Sequence, residues 1–277
     1  MPEGDTIHRH AAELGRAIVG RPVTALHARG ASFGRLVGKA VRAAEARGKH
    51  LLIDVGEGVG AARVHVHLGM HGRLRVVAPA EIDDGTRARA SLVIETADAA
   101  AVWWRAPTVE VLRAAFAHDH PALAALGPDL LAPDFDVKAA VARARQRPPE
   151  MTVGALLLDQ RVAAGIGNVY KSEVLFLERL DPRAPLASVD DATLERLYAR
   201  ARVLMSQNLG PWRRTTTADL TRGGFGPRGS ARVHVYRRVG HPCRACSATI
   251  AVVVQGEPPR RTYFCPNCQR PAAAPAG

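Results

Sequence analysis

The 277-residue chain carries 38 Lys and Arg against 26 Asp and Glu, a formal charge of +12, and 47% of its residues are hydrophobic. That length predicts two domains or one with appendages, and the apolar share excludes a mostly disordered chain. No apolar run is long enough for a membrane-spanning helix, and an excess of positive charge that does nothing for folding implies a polyanionic partner, nucleic acid ahead of an acidic membrane.

The opening Met1-Pro2-Glu3-Gly4-Asp5 is neither basic nor apolar, so no signal peptide is expected. The four cysteines then belong in the reducing cytoplasm, where structural disulfides are rare. Residues 6–19 place Ile7, Ala11, Leu14 and Ile18 at helical spacing. Short β-rich runs follow at 23–26, 50–55, 63–68, 72–77, 91–95 and 100–105. Broken by Gly, Asp and Pro, they predict a β-sandwich or barrel of roughly 120 residues. Leu126-Gly127-Pro128-Asp129 closes that region.

From Asp136 the pattern turns helical, with helices expected over 137–147, 152–160, 169–180 and 191–206. The last carries Leu194, Leu197, Ala201 and Leu204 as a core stripe. Residues 215–232 are rich in Gly, Thr and Arg without periodicity and read as a mobile loop that folds on binding. Residues 271–277 read as a frayed tail.

Cys243-x2-Cys246, eighteen residues, then Cys265-x2-Cys268 is a four-thiolate zinc spacing. Two disulfides or a redox pair are the alternatives, and the cytosolic setting disfavours them. Four thiolates leave no open coordination position, so one structural Zn2+ per chain is expected. The intervening residues read as a β-hairpin joining the two knuckles, and Arg260 and Arg261 on it suit a phosphate clamp.

Pro2 offers a different kind of chemistry. Removal of Met1 would expose a secondary amine, and α-amino groups titrate near roughly 7.7–8.0, so a neutral fraction is present at neutral pH. Attack of such an amine on a sugar C1′ gives an iminium that is cationic without protonation. It acts as an electron sink and favours β-elimination of the phosphate. Glu3 adjoins it and suits proton transfer. A Met-Pro-Glu start alone is uninformative.

Together Pro2-Glu3-Gly4, Gly48-Lys49-His50-Leu51-Leu52, His67-Leu68-Gly69-Met70-His71-Gly72, residues 154–176 and the terminal cysteines resemble the formamidopyrimidine-DNA glycosylase/endonuclease VIII family over nearly the whole chain. The resemblance implies an α+β multidomain fold: an N-terminal β-sandwich with flanking helices (1–130), a helix–two-turn–helix domain (131–232), a zinc β-hairpin (233–270) and a tail (271–277). It implies a bifunctional DNA glycosylase and abasic-site lyase of base excision repair, nucleoid-associated and monomeric, acting on damaged double-stranded DNA by β,δ-elimination. Pro2 matches the Schiff-base nucleophile, Glu3 the general acid/base and Lys49 the phosphate-contacting lysine of β-elimination. Arg260 matches the hairpin arginine of δ-elimination, with Arg261 its runner-up. Asn168, after Gly165-Ile166-Gly167, opens the helix whose positive end faces a phosphate.

His65 and His67 would share one face of a strand. A metal pair there lacks a third ligand visible in the sequence, so His67 reads as a phosphate contact and Met70 as the side chain filling the gap left by a flipped nucleotide, or else as core filler.

Two departures bear on specificity. Asp5 and Thr6 stand where the family carries Pro-Glu, and Val102-Trp103-Trp104-Arg105-Ala106-Pro107 stands where the purine branch carries Asp-Pro-Arg-Arg-Phe. Arg105 can still reach the orphan base, whereas Trp103 and Trp104 read as packing residues. The stretch after Pro211 also differs from the purine-branch lid. Pro2-Glu3-Gly4 and the missing wedge favour the endonuclease VIII-like branch and oxidised pyrimidines; an oxidised-purine enzyme and a non-catalytic damaged-DNA binder are the rivals.

Overall fold

The computed structural model describes residues 2–115, 120–210, 214–217 and 232–270. Most of the stretch expected to be a mobile loop, at 218–231, and the expected tail at 271–277 lie outside the described residues. The chain divides into two units, Met1–Ala125 and Leu126–Gly277, and no described helix is long and apolar enough to cross a membrane.

The first unit opens with helix α1 (Gly4–Ala17), which buries Ile7, Ala11 and Leu14. Among the described residues nine strands follow: β1 (Ala25–Ala28), β2 (Ala31–Ser32), β3 (Val41–Arg47), β4 (His50–Val55), β5 (Ala62–His67), β6 (Arg73–Val77), β7 (Leu92–Glu95), β8 (Ala100–Trp104) and β9 (Thr108–Arg113), with helix α2 (Asp84–Arg89) between β6 and β7. They form a five-stranded sheet, β2-β1-β7-β8-β6, and a four-stranded sheet, β3-β4-β5-β9, in which every pair is antiparallel. Leu51, Ile53, Val64 and Val66 from one sheet meet Leu26, Leu92, Ile94 and Trp103 from the other, with Ile7, Leu14 and Ile18 in the same core. Trp103 is fully buried, so it packs rather than reaching a base, as its sequence context implied.

Strands β3 and β9 have no counterpart among the runs read from the sequence. Half-exposed edge strands such as Val41-Arg42-Ala43-Ala44-Glu45-Ala46-Arg47 carry too few large apolar residues to signal themselves. Period-2 alternation on β4 and β5 has a second consequence. It turns His50, Leu52, His65 and His67 to the face opposite that core.

After helix α3 (Pro121–Ala124), which closes the first unit, the second is helical. Helices α4 (Val137–Arg145), α5 (Val153–Leu156), α6 (Asn168–Leu177) and α7 (Asp191–Ser206) enclose Leu156, Ile166, Tyr170, Val174, Leu197 and Met205. Helix α7 matches the expected range. Helix α5 is shorter than expected, and polar side chains explain the stop. Asp159 accepts from the Arg161 N–H at 3.0 Å, and Gln160 accepts from the Gly165 N–H at 3.0 Å while donating to the Leu158 and Ile166 carbonyls at 2.8 and 3.1 Å. These bonds offer the backbone an alternative to another helical turn. Helix α6 is buried on almost every side, from Val169 to Phe176. The unit ends in a hairpin of β10 (Ala251–Gln255) and β11 (Arg260–Phe264), in which Gln255 pairs with Arg260.

Candidate functional site

In the first unit Pro2 is half-buried and Glu3, at the N-cap of α1, is wholly buried. Lys49 sits at the tip of the β3–β4 hairpin. Arg47 pairs with His50, which leaves Gly48-Lys49 as a two-residue turn with Gly48 at φ +60°. Only glycine adopts that conformation cheaply, which accounts for the glycine ahead of the lysine. His67 ends β5 directly across from His50.

The turn that follows is crowded. A Cβ on Gly69 would come within 2.7 Å of Pro107 Cγ, and one on Gly72 within 2.3 Å of the Leu68 carbonyl. Packed this way, the turn holds Met70 outward with 51% of its surface exposed, so Met70 does not fill the core. Pro107 belongs to the neighbouring β8–β9 turn, where Arg105 is exposed at φ +55° and the Arg29 guanidinium donates to the carbonyls of Ala106 and Pro107 at 3.2 and 2.5 Å. The structure therefore sets Met70 and Arg105 on two adjoining turns, with Lys49 and His67 joined through β4 and β5.

Behind Lys49 lies a cluster that the sequence did not reveal. His50 Nδ1 and His65 Nε2 are 2.8 Å apart, His65 Nδ1 lies 2.7 Å from Glu110 Oε2, and His120 Nε2 lies 3.2 Å from the same oxygen. The His50 and His67 rings pack 4.9 Å apart. Burial, reinforced by the neighbouring His67, His65 and Lys49, pushes His50 down to about 3. Burial also lowers His65, against the pull of Glu110, and lowers His67 beside Lys49. Partial burial opposes ionisation of Glu110, but hydrogen bonding from His65 and the nearby His120 hold it below the usual carboxylate range. His67 is not part of the group that could hold a metal ion; the two further ligands beside His65 are Glu110 and His120. They come from β9 and from the start of α3, elements distant in sequence that carry no motif.

In the second unit the start of α6 and the hairpin are tied together. Asn168 Nδ2 donates to the Arg261 carbonyl at 2.7 Å, and the buried Lys171 ammonium approaches the same oxygen at 3.4 Å. An amide nitrogen has two donors, so among the described residues one of them is still available at the positive end of α6. Gly165 instead spends its N–H on Gln160, which narrows the backbone groups left for an anion. Arg260 and Arg261 are both exposed on β11 and make no ion pair among the described residues. Glu173 performs a task that its sequence context does not announce. Its buried carboxylate accepts from the Thr216 hydroxyl and from the N–H groups of His234, Val235 and Tyr236 at 2.7, 2.9 and 2.8 Å.

The four cysteines are unbridged, with Cys243 and Cys268 sulfurs 3.8 Å apart and those of Cys246 and Cys265 3.5 Å apart. A tetrahedron with metal–sulfur bonds near 2.3 Å has edges of about 3.8 Å, so the group fits a metal ion of zinc's size and is far too open for a disulfide. Burial pushes the Cys265 and Cys268 thiols up, so binding a cation there must release protons.

Comparison with known proteins bears on both units. The profile described as "Formamidopyrimidine-DNA glycosylase N-terminal domain" matches residues 1–108, and "Formamidopyrimidine-DNA glycosylase H2TH domain" matches 126–218. The chain is 39% identical to "Probable endonuclease 8 2" of Streptomyces coelicolor, covering all of this chain and 97% of that one. It is equally 39% identical to "DNA-(apurinic or apyrimidinic site) lyase Nei2" of Mycolicibacterium smegmatis, over 97% and 99% of the two chains. A formamidopyrimidine-DNA glycosylase of Thioalkalivibrio sulfidiphilus is 32% identical over 98% and 99%. Among solved structures, Lactococcus lactis Fpg in complex with abasic-site DNA superposes with a TM-score of 0.76 over 97% and 99% of the two chains at 23% identity, a likeness of fold.

Proposed function

The chain belongs to the formamidopyrimidine-DNA glycosylase/endonuclease VIII family, and from that premise we propose how its residues carry out the work of a bifunctional DNA glycosylase and abasic-site lyase of base excision repair. The observation that carries the reading is at the head of α1, where Pro2 adjoins a carboxylate, Glu3, withdrawn from solvent. Such a pair suits attack on one atom and protonation of a neighbouring one.

Once Met1 is removed, the Pro2 nitrogen attacks C1′ of the damaged nucleotide as the bond to the base breaks, and Glu3 delivers the proton that the departing base takes up. Ring opening leaves an iminium between Pro2 and C1′. Loss of a C2′ proton then feeds that bond's electrons towards the iminium and expels the 3′-phosphate. Lys49 holds the phosphate for this step, and Arg260, with Arg261 beside it, grips the phosphate whose departure completes δ-elimination. His67 and Asn168 contact the backbone, Met70 fills the place of the extruded nucleotide and Arg105 reaches the orphan base; the nucleotide must leave the stack because C1′ is inaccessible within a duplex. The work divides among a catalytic sandwich (1–130), a helix–two-turn–helix domain (131–232) and a zinc hairpin (233–270). Cys243, Cys246, Cys265 and Cys268 would hold one Zn2+, which with four thiolate ligands cross-links the hairpin and takes no part in bond breaking.

Higher identity to the endonuclease 8 relatives than to the formamidopyrimidine-DNA glycosylase, together with Trp103-Trp104-Arg105 in place of the purine wedge, supports oxidised pyrimidines as the substrates. Borohydride trapping on duplexes carrying an abasic site, thymine glycol, dihydrouracil or oxidised guanine tests both levels. Adducts are expected at the abasic site and the pyrimidine lesions, and Pro2→Ala should abolish all of them. Adducts chiefly at oxidised guanine would move the chain to the purine branch. None at the abasic site, from protein lacking Met1, would leave a non-catalytic binder.

A further inference from the structure

We propose that His65, Glu110 and His120 form a second metal site, distinct from the four cysteines, that takes a zinc-class divalent cation with one coordination position open. The donor atoms come from β5, β9 and the residue preceding α3, and they all lie within 4.8 Å of one another. Glu110 Oε2 is the common corner, 2.7 Å from His65 Nδ1 and 3.2 Å from His120 Nε2. A cation with bonds near 2.0–2.1 Å sets neighbouring ligand atoms about 3.3 Å apart, so the edges at Glu110, now 2.7 and 3.2 Å, must open slightly and the His65–His120 edge, within 4.8 Å, must settle to the same length. Two imidazoles and a carboxylate form a borderline-hard donor set suited to Zn2+ rather than to Ca2+ or Mg2+.

The surroundings are those of a built site. His65 is 1% exposed and held by the sheet on both sides, opposite Leu52 on β4 and Glu110 on β9. A ligating histidine normally donates its other ring N–H to an outer partner, and His50 Nδ1 waits 2.8 Å from His65 Nε2 to receive it. Access is also provided, because 39% of the Glu110 side chain and 19% of the His120 side chain remain exposed. A cation bound there would tie the start of α3 to the sheet. Through His65 it would fix the tautomer and orientation of His50, the residue adjoining Lys49.

The test is a metal count on the full chain, loaded with excess Zn2+ and desalted, by inductively coupled plasma mass spectrometry. The wild type should retain two equivalents per chain, and His120→Ala and Glu110→Gln one each; both substitutions fall on partly exposed side chains. Co2+ loading gives an independent readout. The first equivalent must show sulfur-to-metal charge transfer, and the second must add d–d bands without any. Retention of the charge-transfer band in both variants reports that the fold and the thiolate site are intact. One equivalent in the wild type, two in either variant, or a second Co2+ spectrum carrying charge transfer would each overturn the proposal and leave His65, Glu110 and His120 a purely hydrogen-bonded cluster.

Discussion

The roles proposed for the consecutive residues Pro2 and Glu3 are separable, and the separation can be measured. If Glu3 serves base release, Glu3→Gln should slow excision of a damaged base by about 10²–10⁴ while nicking of a ready-made abasic site continues, since no base then remains to be protonated. Equal loss of both activities would put Glu3 in the lyase step instead. Arg260 calls for the opposite kind of check. Exposed and without an ion pair among the described residues, it is proposed to serve function rather than folding. Arg260→Ala should leave stability within about 0.5 kcal/mol in thermal melts and shift the products from β,δ- towards β-elimination on a denaturing gel. At this scale Pro2, Glu3, Lys49 and Arg260 are proposed from the sequence motifs that carry them. The partners of Glu173 were not legible in the sequence, because its three backbone donors lie 61 to 63 residues further on.

Helix α6 is the element on which the second unit turns. Its first residue holds the hairpin through the Arg261 carbonyl, and Glu173, one and a half turns later, gathers the N–H groups of residues 234–236 that lead into the first cysteine knuckle. Glu173→Ala would strand several buried donors at once and should cost on the order of 3–5 kcal/mol, read as a melting temperature lowered by more than about 6 °C. A change under about 1 kcal/mol would mean that water replaces the carboxylate. The shortness of α5 follows the same logic, since Asp159 and Gln160 capture backbone groups that another helical turn would have used. Apolar periodicity indicates where a helix is favourable. It does not report side chains that compete for the backbone.

For the molecule as a whole, the metal proposed at the four cysteines bears on the proposed DNA binding. The buried apolar group around the cysteines is small, comprising Phe176, Val235, Ile250 and Tyr263 beside Cys243 and Cys265. Beyond these contacts and the hydrogen bonds to α6, a structural zinc at the four cysteines would contribute about 10–16 kcal/mol, as in small zinc modules. Stripping the cation with a chelator, or removing one ligand with Cys246→Ser, should therefore abolish DNA retention in a gel-shift assay. The melt of the first unit, whose core is separate, should persist. Unchanged affinity in Cys246→Ser would show that the hairpin is not the clamp.

Sequence alone determined what depends on short spacing: the helical stripes of α1 and α7, the paired spacing of the four cysteines and the adjacency of Pro2 and Glu3. Each is encoded within a few turns of chain, where backbone geometry converts residue order directly into position. Tertiary structure alone decided what depends on distant strands lying side by side. It added β3 and β9 to the second sheet, turned Met70 out of the core and brought Glu110 and His120 to His65, across 45 and 55 positions of chain that no local periodicity can bridge.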